Sequence, residues 1–320
     1  MKALQVSGEG VALKDVAVPD VENEALVRVL RSGICNTDLE IINGYGGFRG
    51  TIGHEFIGIV EESGNAHGLV GKRVVGEINA GCGTCELCHS GDSRHCATRT
   101  VLGIKDRDGC HAEYLTLPPR NLIVVPDSVP DADAVFVEPL AAALGIVERV
   151  PIGREDRVAV IGDGKLGLLC SFAAALNTNH VTLIGKHASK LQLAGNRSIA
   201  TLLLSEGKLP VSEFDIVIEA SGSETGFASA LDLVRPRGTI VLKSTFHGLP
   251  KWEAWRVVVD EISVVGSRCG RFEPALKVLG DGRISVSDLV EAEFSLGDAI
   301  NAVEAASKRG TMKVVLVNDL

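Results

Sequence analysis

Four cysteines crowd into residues 81–96, GCGTCELCHSGDSRHC: Cys82, Cys85, Cys88 and Cys96. The spacing Cys-x2-Cys-x2-Cys-x7-Cys can wrap four thiolates tetrahedrally around one Zn²⁺, and four sulfurs leave no position for water or substrate. Such an ion would pin a loop; an iron–sulfur cluster or free thiols are the alternatives. The glycines at 81, 83 and 91 suit a sharply turning lobe. Chemistry at a metal needs fewer protein ligands and an open position. The candidates lie elsewhere: Cys35 in GICNTDLE, His54 and Glu55 in GHEFIGIV, and Glu138 in FVEPLAAAL. Singly, each has an ordinary reading as a small core residue, a surface turn or a helix start.

A second constellation is VAVIGDGKLGLL, an apolar run leading into G-x-G-x-x-G: Gly162, Gly164 and Gly167. The first glycine permits the tight turn, the second lets a pyrophosphate approach the backbone, and the third lets helix and strand pack closely. Phosphates then sit at a helix N-terminus, where free N–H groups and the dipole favour anions. Lys165 and Leu166 complete this loop as cofactor-binding residues. NAD sites usually carry an acid at the end of the second strand, for the ribose hydroxyls. Here VTLIGKHASK puts Gly185 at that place, followed by Lys186, His187 and Lys190. A carboxylate would repel a 2′-phosphate and cations would welcome one, so NADP is expected over NAD. Solvated helix-start lysines are the plain alternative.

These residues must be positioned by two kinds of element. The first 125 residues hold short alternating apolar runs between glycine turns, an irregular and mostly β unit. Residues 129–150 turn alanine-rich and helical. From 157, RVAVIGDG, HVTLIG, IATLLL, FDIVIEASG, GTIVLKST and ISVVGS alternate with segments of helical composition. That rhythm predicts a parallel sheet covered on both faces. Beyond about 271 two helices and a strand are expected, returning to the first unit. The fold class is therefore α/β: a doubly wound dinucleotide-binding domain at 141–270, and a β-rich zinc-binding catalytic domain from 1–140 and 271–320.

Bulk properties narrow the function. The chain has 320 residues, 45% hydrophobic and 23% charged, with 36 glycines and a net charge of −9. The acidic balance and the lack of a basic run argue against nucleic acid. No stretch approaches ~18 uninterrupted apolar residues, so a membrane span is not expected, and the N-terminus lacks a signal-peptide core. Four of the eight cysteines sit at metal-ligand spacing, which favours a reducing, cytoplasmic setting over disulfides.

GICNTD, GHEFIGIV, the four-cysteine lobe, DG..AEYLTLP, VEPLAAAL and the later GxGxxG follow one another in the order and rough spacing of the zinc-dependent medium-chain dehydrogenase/reductase family, with its GroES-like catalytic domain. The chain resembles that family over essentially its whole length, and EPLA is most similar to the polyol (sorbitol) and threonine dehydrogenase branch. The resemblance implies that Cys35 and His54 ligate a catalytic zinc, with Glu55 and Glu138 competing to complete the shell. Glu55 is a direct ligand or a neighbour of the ligands. The resemblance implies that Asp38 supports the ring of His54, that Thr37 receives the alcohol proton, and that Lys313 lies near the cofactor pyrophosphate. It implies reversible hydride transfer between a secondary alcohol, a polyol or sugar derivative, and a nicotinamide cofactor, in a homodimer or homotetramer. A zinc-independent quinone or enone reductase on the same fold, or a non-catalytic zinc-binding scaffold, is the rival.

The chain also departs from its relatives. Leu39-Glu40 stands where many carry a histidine for proton shuttling, and GCHAEY replaces GGFAEY. Cys110 is expected to be packed in a core, and nothing favours a function for His111. Trp252 and Trp255 are expected to pack a helix on a core, and Cys170 and Cys269 to be small buried residues.

Overall fold

The computed structural model describes residues 1–64, 66–207, 209–244 and 253–318. The chain divides into two compact units, Met1–Glu138 with Ala275–Leu320, and Pro139–Pro274.

In the second unit all six apolar runs are strands of one parallel sheet: Val158–Ile161, Val181–Gly185, Ala200–Leu203, Phe214–Glu219, Val234–Leu242 and Ser263–Gly266. Numbered along the chain from the first of these, their spatial order is three, two, one, four, five, six. The strand Val158–Ile161 is buried along its whole length, as a central parallel strand covered on both faces must be. Its core joins Ile161, Ile184, Val217, Leu231 and Ile240. The outermost strands, Ala200–Leu203 and Ser263–Gly266, are largely exposed.

The first unit is built on a seven-stranded sheet whose centre is the long strand Ala25–Ile34. Glu55–Ser63 pairs antiparallel on one side of it and Lys313–Val317 antiparallel on the other. The register sets Glu55 and Val315 opposite Gly33, and Val314 opposite Ile34. Segments far apart in sequence are thus brought side by side at one end of one sheet. The strand Val290–Ser295, parallel to Lys313–Val317, was not foreseen. Its sequence VEAEFS is half-buried at best, so it lacks the apolar run that marked the others.

Two smaller expectations need correction. Trp255, on the helix Ala254–Val259, is 60% exposed, because that short helix buries none of its residues. Trp252 lies outside the described residues. Cys170 is buried as expected, whereas Cys269 is only partly so.

Candidate metal centres and nucleotide loop

Cys35 directly follows the strand Ala25–Ile34 and is the N-cap of the helix Asn36–Ile42. Asp38, at the third helical position, accepts the Cys35 backbone N–H at Oδ2, 2.7 Å, as in a capping box. Its other oxygen accepts Gly53 N–H at 3.2 Å and lies 3.2 Å from His54 Nδ1. One fully buried carboxylate therefore ties the Cys35 backbone to the turn and ring of His54. Burial alone would raise the Asp38 pKa, but His54 and His111 outweigh it and hold the group well below the carboxylate range. For His54, burial opposes the charge, while Asp38 and Cys35 overcome it and raise its pKa.

Cys35, His54 and Glu55 bring one sulfur, one nitrogen and one oxygen within 4.8 Å of one another. Glu55 Oε2 pairs with the Lys313 ammonium, whereas Glu55 Oε1 is buried with no hydrogen-bond partner. An unmatched buried carboxylate oxygen beside a thiol and an imidazole is what a divalent ion would satisfy. Glycine at position 33 leaves Glu55 its room, since a Cβ there would collide with Glu55 Oε2 where it now lies. Glu138, partly buried at the start of the helix Val137–Arg149, stands outside the 4.8 Å group. Burial pushes Glu138 up to about 7, with His54 opposing and Glu55 and Glu77 adding to the rise. Thr37 Oγ1 lies 3.8 Å from Cys35 Sγ.

Lys313 is paired inside its own unit. It is 1% exposed, and its ammonium is taken up by Glu55. A buried ammonium requires a counter-charge, and the sheet register supplies that carboxylate. Burial would lower its pKa, but Glu55 and Cys35 outweigh this and raise it.

The four cysteines of the lobe also converge, all four sulfurs lying within 4.8 Å of one another. Cys82 Sγ and Cys88 Sγ are 4.0 Å apart, close to the edge of about 3.8 Å for sulfurs at ~2.3 Å from a tetrahedral zinc. Thr84 donates to Cys82 Sγ through its hydroxyl (3.4 Å) and its backbone N–H (3.5 Å), and these bonds lower that thiol to about 5. The lobe is rooted by the short pairing of Asn79–Ala80 with Thr100–Val101, and Arg120 donates to Gly81 O at 2.7 Å.

In the second unit, Gly162 has φ +112° and Gly164 is the N-cap of the helix Lys165–Ala175. A Cβ on Gly167 would strike Gly162 O, so the third glycine is needed for helix–strand contact; one on Gly164 would meet no protein atom. That open space at a helix N-terminus fits a pyrophosphate. Gly185 ends the second strand, and Lys186 is exposed, with His187 and Lys190 partly so. The turn has an organiser that the pattern did not announce. Asp163 Oδ2 accepts Lys186 N–H at 2.7 Å and His187 N–H at 2.6 Å, and lies 3.0 Å from His187 Nδ1. Asp163 is visible in the sequence as the middle residue of GDG, but its partners lie 23 and 24 positions away.

A family model, the alcohol dehydrogenase GroES-like domain, matches residues 21–127. Sorbitol dehydrogenase of Halalkalibacterium halodurans is 28% identical over 315 residues, covering 92% of each chain. L-threonine 3-dehydrogenase of Legionella pneumophila (strain Corby) is 28% identical, covering 96% of each. Among solved structures, a zinc-binding dehydrogenase from Sinorhizobium meliloti 1021 bound to NADP superposes with a TM-score of 0.89. It is 28% identical, and 99% of this chain and 98% of that one are covered. Over nearly its whole length the chain is similar to zinc-dependent medium-chain dehydrogenases/reductases. The chain is an oxidoreductase of the alcohol dehydrogenase type, with a GroES-like unit and a Rossmann-like sheet. No helix among the described residues is long and apolar enough to cross a membrane.

Proposed function

We propose that the chain oxidises a secondary alcohol of the polyol or sugar-derivative class, reversibly, with NADP as the preferred hydride acceptor. The observation that carries this reading is the Cys35–His54–Glu55 group, three unlike donors within 4.8 Å with one carboxylate oxygen unsatisfied. These three residues would hold a catalytic zinc, and Cys82, Cys85, Cys88 and Cys96 would hold a structural one. When bound, the catalytic ion polarises the substrate oxygen and eases loss of its proton. Asp38 Oδ1 faces His54 Nδ1 at 3.2 Å, which would leave Nε2 as the ligating nitrogen. Thr37, beside Cys35, would accept the substrate's hydroxyl proton while passing its own toward solvent.

Support for the phosphorylated cofactor comes from Lys186, His187 and Lys190 and from the absence of a carboxylate on Gly185. The nearby Asp163 carboxylate is engaged by donors of the 186–187 turn, which offsets its charge. Gly162, Gly164, Lys165, Leu166 and Gly167 would receive the pyrophosphate. The substrate class draws on the sorbitol dehydrogenase relative and on the Glu138-Pro-Leu-Ala segment. The edge strand Ser263–Gly266 exposes Val264 near the exposed Val258 and Val259 in sequence, and supports self-association as a homodimer or homotetramer. Eight free cysteines suit a reducing compartment such as the cytoplasm.

The test is absorbance at the nicotinamide band. Zinc-loaded protein is offered NAD and NADP with polyols, sugars, amino-acid alcohols and simple alcohols. Turnover of a polyol or sugar with a lower KM for NADP is expected. Activity confined to primary alcohols, or equal KM values for the two cofactors, would overturn the corresponding part.

A further inference from the structure

His111 is wholly buried. A buried imidazole must place both nitrogens, and this one does so within the framework of the metal centre. Its Nδ1 lies 2.9 Å from Ser32 Oγ, itself buried three residues before Cys35. Its Nε2 lies 3.5 Å from Asp38 Oδ2 and has no hydrogen-bond partner of its own. The ring packs on Gly53, the residue before His54, where a Cβ would fall 2.6 Å from the ring atoms Cγ and Nδ1. Backbone bonds fix it there: His111 N–H donates to Ile52 O and Cys110 N–H to Gly53 O, both at 2.9 Å. One side chain therefore touches the strand that ends in Cys35, the turn that ends in His54 and the carboxylate that joins them.

We propose that His111 is a positioning residue, acting through Asp38 to hold His54 in its metal-ligating orientation. In this arrangement the Ser32 hydroxyl, 2.9 Å away, is assigned as donor to Nδ1, which puts the ring proton on Nε2, facing Asp38 Oδ2. Asp38 thereby lies between two imidazoles, with two backbone N–H donors fixing the plane of its carboxylate. An apolar ring at 111 would fill the volume over Gly53 but remove the polar Nε2 that faces Asp38 Oδ2 at 3.5 Å, leaving that oxygen the Cys35 N–H alone. The carboxylate could then turn, and His54 would follow it.

The inference rests on the reading that Cys35, His54 and Glu55 hold a metal, and the experiment separates the two. Zinc-loaded wild-type, His111→Phe, His111→Gln and Ser32→Ala proteins are titrated with a chromophoric chelator. The ion at the four thiolates serves as internal control. His111→Phe should weaken the other ion by roughly 10- to 100-fold, the range for residues that orient a metal's ligands. His111→Gln, which keeps a donor within reach of Asp38, should recover much of that loss. Ser32→Ala should weaken the same ion by several-fold, and carries the test if His111→Phe does not fold. An affinity within twofold of wild type in folded His111→Phe, or in Ser32→Ala alone when the former is unfolded, overturns the positioning role. A wild-type protein that binds an ion only at the four thiolates overturns the metal reading itself.

Discussion

Asp163 lies against Gly185: a Cβ on Gly185 would fall 2.5 Å from Asp163 Cβ and 2.6 Å from its Oδ2. The end of the second strand is therefore glycine for lack of room, and Asp163 of the GDG loop fills that space, held by the 186–187 turn. A carboxylate on the strand and Asp163 cannot coexist without displacement. Gly185→Asp should accordingly destabilise by about 1–3 kcal/mol, the usual cost of overpacking. The exposed cations are the remaining determinants. A charge-assisted hydrogen bond contributes about 1.5 kcal/mol or more, so Lys186→Ala with Lys190→Ala should raise the KM for NADP at least about tenfold. The KM for NAD should stay nearly constant. Equal changes for both cofactors in steady-state assays would remove these lysines from 2′-phosphate recognition.

Lys313 and Glu55 form an ion pair with side chains only 2% and 1% exposed. Lys313 also lies 5.7 Å from the centroid of the Phe136 ring. Removing one partner of such a pair strands a buried charge, which costs about 3–5 kcal/mol. Lys313→Met in metal-free protein should lose that much in urea unfolding. Lys313→Met with Glu55→Gln should recover a good part of it, because the charge is gone from both sides. A single variant as stable as wild type would mean that water or another cation reaches Glu55.

The parts of this molecule that were legible in the sequence depend on neighbours along the chain. The run at 158–161 is apolar because both faces of a central parallel strand are covered, and Gly162 to Gly167 mark the turn that follows it. Val290–Ser295 was not legible, since an exposed edge strand needs no apolar run. Cys35, His54 and Glu55 could be picked out only by resemblance, because what brings them together is the register of Gly33 against Glu55. The Glu55–Lys313 pair spans 258 positions, and neither residue type announces the other. For His111 the single signal was a departure from the family pattern; its partners Ser32 and Asp38 come from strand and helix packing that periodicity does not encode.

The two groups of metal-binding side chains should be separable by mutation. Cys88→Ala removes one of four thiolates from a closed site and should cost that ion and several kcal/mol of stability, since a structural zinc contributes directly to folding. Cys35→Ala should leave the thermal midpoint close to wild type but abolish turnover and the second ion. Zinc is counted per chain by elemental analysis, alongside the dehydrogenase assay. Full activity in Cys35→Ala would refute the assignment of the catalytic ion.

Glu24 and Arg107 join two distant segments of the first unit through two bonds, 2.7 and 2.8 Å. Burial raises the Glu24 pKa, but the hydrogen bonds and charge of Arg107 outweigh it and leave the net shift downward. A carboxyl with a lowered folded-state pKa contributes stability above its unfolded value of about 4.3. That contribution is lost as pH falls through the folded value. The pair is partly exposed, so solvent screening limits it to about 1 kcal/mol. Glu24→Gln should therefore be less stable than wild type by about that amount at neutral pH. The gap should close as the solution is acidified below about pH 4, because only the wild type then gains a proton at this site. A gap that stays constant from neutral to acid pH in urea titrations would show that the loss comes from packing and not from the ion pair.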